Sequence, residues 1–217
     1  MEKNKNILLT TCAVGDFYIE KVIKFQNTKF SKNFDLHILT DKPHLFKKGK
    51  ADLYIESTFN YFDKFRYVIG KIQQFKTLGL IYDADVLEWI EGDMNYFETN
   101  SNNIQYLNTW GSVNTFDEVK DVESDGVSFF NFFRTILKEE NIAESSIVLI
   151  HEDRMFFPSQ DYTEFMNYFL SLLNPFTENS HTFWGHKGAV GNGEGAALGY
   201  ALHKSQLTHK LIDYSSI

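Results

Sequence analysis

In 217 residues the chain has one cysteine, three prolines and no N-x-S/T sequon. A single thiol, Cys12, excludes an internal disulfide framework and fits a reducing compartment. No apolar run reaches transmembrane length, and the opening "MEKNKNILLTT" is too short an apolar stretch for a secretory signal. A soluble, cytoplasmic protein is therefore expected. Positive charge is also scarce: 21 Lys and Arg stand against 29 Asp and Glu, a net charge of −8. That balance argues against a large nucleic-acid footprint, which needs a basic face. Internal repeats, low-complexity tracts and Pro/Gly/Ser linkers are absent too, so the sequence reads as one domain over 1–217.

What is present is core. Hydrophobic residues make up 43% of the chain and aromatics 16%, enough to exclude global disorder. Short apolar runs alternate with amphipathic ones. "NILLTTCAV" reads as a buried strand ending near Gly15, "FDLHILTD" as a strand ending at Asp41, "ADLYIES" as a third, and "LGLIYDADV" as a fourth. Between them, "DFYIEKVIKFQNTKF" has helical spacing with Asp16 as its N-cap. "YFDKFRYVIGKIQQF" places Phe62, Phe65, Ile69, Ile72 and Phe75 on one helical face. This β-α-β-β-α-β order predicts an α/β fold: a central, mainly parallel twisted sheet flanked by helices. The sequence divides into a regular first half, 1–90, and a less regular second half, 91–217. In the second half "NIQYLNTWG" predicts a strand and the acidic stretch 110–127 a mobile loop or lid. "VSFFNFFRTILKEEN" predicts a helix and "SIVLIHEDRMFF" a strand with an irregular middle. "DYTEFMNYFLSLLN" predicts a helix stopped by Pro175, "HTFWGH" a strand, "KGAVGNGEG" a loop, and "EGAALGYALHKSQL" a last helix.

The informative stretch is "GLIYDADVLEWI". An apolar strand runs into Asp83 and Asp85, yet carboxylates at the edge of a core are costly unless paired, hydrogen-bonded or bound to a cation. In open α/β sheets ligands bind outside the carboxyl ends of the strands. An acid-x-acid pair there prefers hard cations, Mg²⁺ or Mn²⁺, which are usually completed by substrate phosphates. The other reading is a turn-capping Asp83 with a solvated Asp85.

With this motif the chain resembles the GT-A glycosyltransferases, in which a D-x-D at a strand end holds a divalent cation on a nucleotide-sugar diphosphate and touches the ribose. "LIYDADVL" is similar to that motif, and the likeness extends over most of the chain. The pattern is most similar to the retaining family that contains the blood-group and α-1,3-galactosyl transferases and their bacterial relatives. "FRYVIGKIQQF" resembles that family's Arg-containing helix. "GNGEGAALGYAL" resembles its H-D-E-S-H-L-N stretch, keeping the Glu but lacking the preceding His-Asp. The resemblance implies a metal-dependent transferase taking a UDP-linked sugar, with Asp83 and Asp85 on the metal and Ala84 between them, 1–90 as the nucleotide-binding half and 91–217 as the acceptor-binding half.

The residues themselves supply the rest of the expected site. Backbone groups of Thr10, Thr11, Cys12 and Ala13 are expected to face a uracil-like base, with Phe17 or Tyr18 stacking on it or serving only as core or surface aromatics. Asp41 accepts from base or ribose, or caps a turn. Arg66 reaches the diphosphate or sugar, or forms a surface ion pair. Glu194 is the candidate reaction-centre carboxylate: it follows Gly191-Asn192-Gly193, where backbone can approach a sugar closely, and it opens a helix whose positive end favours an ionised carboxylate. An ionised Glu there stabilises or attacks an oxocarbenium-like centre, as in retaining glycoside hydrolases. Trp184, His181 and Asn192 are the acceptor candidates, Trp184 as a sugar-stacking platform or a buried core residue, with His186 and Lys187 on diphosphate or acceptor. His203, Lys204, His209 and Lys210 are late positive charges. Glu152, Asp153 and Arg154 form an ion-pair set or an acceptor wall. The glycine-rich 185–199 segment is neither a Rossmann fingerprint nor a P-loop, because it lies near the end of the chain and lacks G-K-[ST]. His151-Glu152 lacks the second His of a zinc protease. The acceptor reads as a glycan or glycolipid, or a modified nucleic-acid base. Two other functions fit the same pattern. A nucleotidyltransferase also uses aspartates and a metal, although "TTCAVGDFY" carries no basic residue after the first strand. A non-catalytic nucleotide-sugar-binding protein is the third.

Overall fold

A computed structural model describes residues 7–47, 49–55, 61–108, 115–118, 129–150, 153–177 and 193–213. They divide into two compact units, the first made of 1–107, 153–161 and 210–212 and the second of the remainder.

The first unit carries the sheet apart from the strand-end residues Asn108, His209 and Asp213. Its strands are β1 (Ile7–Ala13), β2 (Phe34–Thr40), β3 (Lys50–Leu53), β4 (Gly79–Tyr82), β5 (Ile104–Asn108), β6 (Arg154–Phe157) and β7 (His209–Asp213). They lie in the order β3-β2-β1-β4-β6-β5-β7. β1 pairs in parallel with both β2 and β4, and β2 in parallel with β3, whereas β6 runs antiparallel to β4 and β5. This is the mixed, mostly parallel α/β sheet that the sequence predicts. Strands covered on both faces are apolar throughout rather than alternating. Leu8 and Leu9 of β1 and all of β4 accordingly are buried. Thr10 is buried in this run because its hydroxyl donates to the Leu80 carbonyl of β4 at 3.0 Å, which satisfies it inside the core.

Helix α1 (Asp16–Gln26) follows β1 and buries Ile19, Val22 and Phe25. Its N-cap is Gly15, not Asp16 as expected. The chain turns there with φ of 89°, a conformation that glycine adopts without penalty. The Asp41 carboxylate accepts the Gly15 N–H at 3.2 Å, and Lys42 pairs with Asp16. The end of β2 therefore fixes the start of α1. Helix α2 (Tyr61–Phe75) buries Phe65, Val68, Ile69 and Ile72. The chain leaves β4 through a 3₁₀ segment, Ala84–Trp89, into the short α3 (Ile90–Asp93).

The second unit is helical, with α4 (Phe129–Glu139), α5 (Thr163–Thr177) and α6 (Gly193–Ser205). Its core holds Phe116, Phe133, Ile147, Phe165, Phe169 and the Ala196–Leu198 face of α6. Two glycines let α6 lie against the extended 147–150 backbone. A methyl group on Gly199 would stand 1.8 Å from the Val148 carbonyl oxygen, and one on Gly195 2.4 Å from that of Ile150.

Three segments depart from the sequence expectations. "SIVLIHEDRMFF" is not one strand. Residues 147–150 find their backbone partners within the second unit, Ile147 O accepting from Phe116 and Ile150 N donating to Gly195 O, and only Arg154–Phe157 joins the sheet. Helix α5 passes Pro175 and ends at Thr177, since a proline in the last turn forfeits a single hydrogen bond. The strand β7 was not expected, because "HKLID" holds only two adjacent apolar residues and shows no alternation. The expected strand "HTFWGH" lies outside the described residues. No helix among the described residues is long and apolar enough to cross a membrane.

Candidate active site

In this strand order β1 has its sequence neighbours leaving in opposite directions, β2 and β3 on one side and β4 on the other. Such a switch point opens a crevice at the carboxyl ends of the two strands. A cavity of about 160 Å³ lies there, lined by Cys12 and Val14 at the end of β1, Tyr18 on α1, Lys64 on α2, and Asp83, Ala84 and Asp85 beyond β4. Ligand pockets for whole small molecules run to roughly 300–1,000 Å³, so this one has room for a single moiety of such a ligand.

The aspartates are held by backbone. The Asp83 N–H donates to the Asp153 carbonyl at 2.9 Å and the Asp83 carbonyl accepts from Val86, which starts the 3₁₀ turn carrying Ala84 and Asp85. Ala84 is buried and Asp85 exposed, so the two carboxylates flank a packed methyl group. Lys64, only 3% exposed, places its ammonium on Asp83 Oδ1. Burial pushes the Asp83 carboxyl up, the Lys64 ammonium opposes this, and the Asp85 carboxylate reinforces it. Burial, then Asp85 and Asp83, also push the Tyr18 hydroxyl up. Tyr18 thus stays protonated, a hydrogen-bond donor at the mouth of an acidic site.

A buried network stands behind the turn. The Tyr82 hydroxyl donates to Asp93 Oδ2 at 3.0 Å, and Arg154 Nη1 lies 3.5 Å from the same oxygen. The Arg154 guanidinium stacks on Trp89, 4.3 Å from its ring centre, with Nε 3.5 Å from Asp153. β6 therefore clamps both ends of the 3₁₀ segment. Burial holds the Asp93 carboxyl above the ordinary carboxylate value, opposed by Arg154 and by the Tyr82 hydrogen bond. Asp93 accordingly binds its proton more tightly folded than unfolded, and its contribution to stability declines as pH rises above about 4, the unfolded carboxylate value. Arg154→Met removes the opposing cation and leaves a buried carboxylate, a loss of roughly 3–5 kcal/mol near neutral pH. Urea unfolding of variant and wild type is expected to give a smaller deficit in acid and a larger one in mild alkali. A deficit independent of pH contradicts this assignment of Asp93.

Of the residues expected from the sequence, Cys12, Tyr18, Asp83, Ala84 and Asp85 meet in the cavity. Thr10, Thr11 and Ala13 lie one step inside, buried in β1. Asp41 fastens the start of α1, and Phe17, 60% exposed, meets Tyr18 edge-on. Arg66 is on the exposed side of α2, away from the cavity lining, whereas Lys64 two residues earlier lines it. Lys64 was missed, although it falls on the stripe formed by Phe65, Val68, Ile69 and Ile72, where a charged residue is itself a signal. Glu194 occupies the second position of α6. Lys204 pairs with Glu140 at 2.9 Å over the Tyr168 and Tyr200 rings, and Lys210 pairs with Glu98. His203 and His209 are both exposed. Trp184, His181, Asn192, His186, Lys187, Glu152 and most of the 110–127 loop lie outside the described residues.

Two carboxylates fit a hard cation shared with phosphate oxygens, the usual arrangement for Mg²⁺-type ions. They do not make a complete cage: among the described residues no three His, Cys, Asp or Glu side chains converge.

No protein-family profile matches the chain, and no curated protein matches it. Two of the solved structures similar to the chain follow. One is the 4-diphosphocytidyl-2C-methyl-D-erythritol synthase of Anaerococcus prevotii, with 13% identity, a TM-score of 0.48 and coverage of 99% of this chain and 92% of that one. The other is the WbbM bifunctional glycosyltransferase, with 10% identity, a TM-score of 0.47 and coverage of 97% of this chain but 39% of that one.

Proposed function

We propose that the protein is a glycosyltransferase that takes a nucleotide sugar, UDP-linked, with Mn²⁺ or Mg²⁺, and passes the sugar to a glycan or glycolipid acceptor with retention. The observation that carries this reading is the switch-point cavity in which Asp83, Asp85, Lys64 and Tyr18 converge. The resemblance of "LIYDADVL" to the D-x-D motif supports it. Asp83 and Asp85 hold the cation, which when bound neutralises the departing diphosphate. The Lys64 ammonium adds positive charge on the same side, and Tyr18 donates to a phosphate or ribose oxygen from the rim. In this reading Glu194 is the carboxylate that stabilises the positive charge building at the anomeric carbon.

A melting-temperature screen of nucleotide sugars with Mn²⁺ selects the donor, because a ligand of the native state alone raises the midpoint by mass action. With that donor, slow metal-dependent release of UDP by the purified protein is expected even before the acceptor is known. Release of pyrophosphate from a nucleoside triphosphate instead assigns a nucleotidyltransferase. Binding with neither release leaves a nucleotide-sugar-binding protein.

A further inference from the structure

The pairing of Lys64 with Asp83 has a consequence for how the site loads. A buried ammonium already sits on one of the two carboxylates that a divalent cation needs. A second cation entering beside it meets like charge in a partly desolvated cavity, where such repulsion is several times stronger than in water. The same cavity receives the diphosphate, whose oxygens are an alternative partner for the ammonium. We propose that Lys64 is a built-in cation that competes with the metal for Asp83, so that divalent-cation binding is weak until a nucleotide diphosphate draws the ammonium away. The inference rests on the diphosphate reading of the cavity and adds an order of events to it. Because linkage is reciprocal, the metal tightens the nucleotide by the same factor as the nucleotide tightens the metal.

The test is titration of Mn²⁺ alone, followed by the electron-spin resonance of free Mn²⁺, into wild type, Lys64→Met and Lys64→Arg. Lys64→Met is expected to bind Mn²⁺ about tenfold more tightly than wild type without nucleotide. Lys64→Arg, which keeps the charge, is expected to stay near wild type. With UDP present, wild type is expected to gain Mn²⁺ affinity and Lys64→Met to gain much less. Equal Mn²⁺ affinity in wild type and Lys64→Met overturns the proposal. If Lys64→Met does not fold, the wild-type comparison decides, and Mn²⁺ affinity indifferent to UDP overturns it. A wild type that takes up no UDP at any Mn²⁺ concentration sinks the nucleotide reading, while the Mn²⁺-only comparison still judges Lys64.

Discussion

Asp85→Asn is expected to abolish Mn²⁺-dependent UDP binding while leaving the melting temperature at the wild-type value. Asp85 is exposed in the first turn of the 3₁₀ segment, and surface substitutions away from caps and core contacts usually stay within about 0.5 kcal/mol. An amide of the same shape keeps the turn and removes only the negative charge. A cation shared between two carboxylates and a diphosphate then loses one of its two protein anchors. Asp83→Asn is expected to lose binding as well, but to melt lower. It breaks the pair with Lys64 and leaves a buried ammonium facing an amide, for roughly 1–3 kcal/mol. The two variants thus share a binding phenotype and differ in stability. Calorimetry of UDP with Mn²⁺, paired with thermal melts, reads both. An unchanged Mn²⁺-dependent UDP isotherm in Asp85→Asn contradicts the metal role of the pair.

The second large effect is expected at Glu194. It is the second residue of α6, where the helix macrodipole favours an ionised carboxylate. If it serves only the helix start, Glu194→Gln costs roughly 0.3–1 kcal/mol of stability and leaves turnover intact. If it stabilises the anomeric centre, the variant keeps UDP binding and its melting point. It then loses transfer by on the order of a hundredfold or more, equivalent to about 2.7 kcal/mol of barrier. Single-turnover transfer to an identified acceptor separates the two outcomes. Transfer within a few-fold of wild type contradicts the catalytic assignment and removes the main support for retention.

The first half of the fold was legible because each of its elements carries one unambiguous period. β1 and β4 are short apolar runs, β2 alternates, and α1 and α2 are amphipathic with apolar residues at helical spacing. The aspartates were legible because strand β4 delivers them straight out of the core. Lys64 was not, because a sequence reading sends charge to the surface. Arg66, the cation that the family resemblance singles out on α2, lies on its exposed side. The clamp behind the turn was only half legible. Asp153 and Arg154 stood out as an ion-pair set, but their reach to Asp93 and Trp89 depends on β6 lying beside β4. That antiparallel insertion is a long-range choice with no local signature. Asp41 shows the same limit: a short acid at a strand end reads equally as a ligand and as a cap, and here it holds the Gly15 N–H.

The central claim is that the switch-point cavity binds a nucleotide diphosphate through a cation on Asp83 and Asp85. Its most direct test is calorimetric titration of UDP into the wild-type protein, once with Mn²⁺ and once with the metal chelated. Saturable binding with Mn²⁺ that collapses on chelation is the predicted result. UDP binding of equal strength in both titrations, or none in either, contradicts the claim.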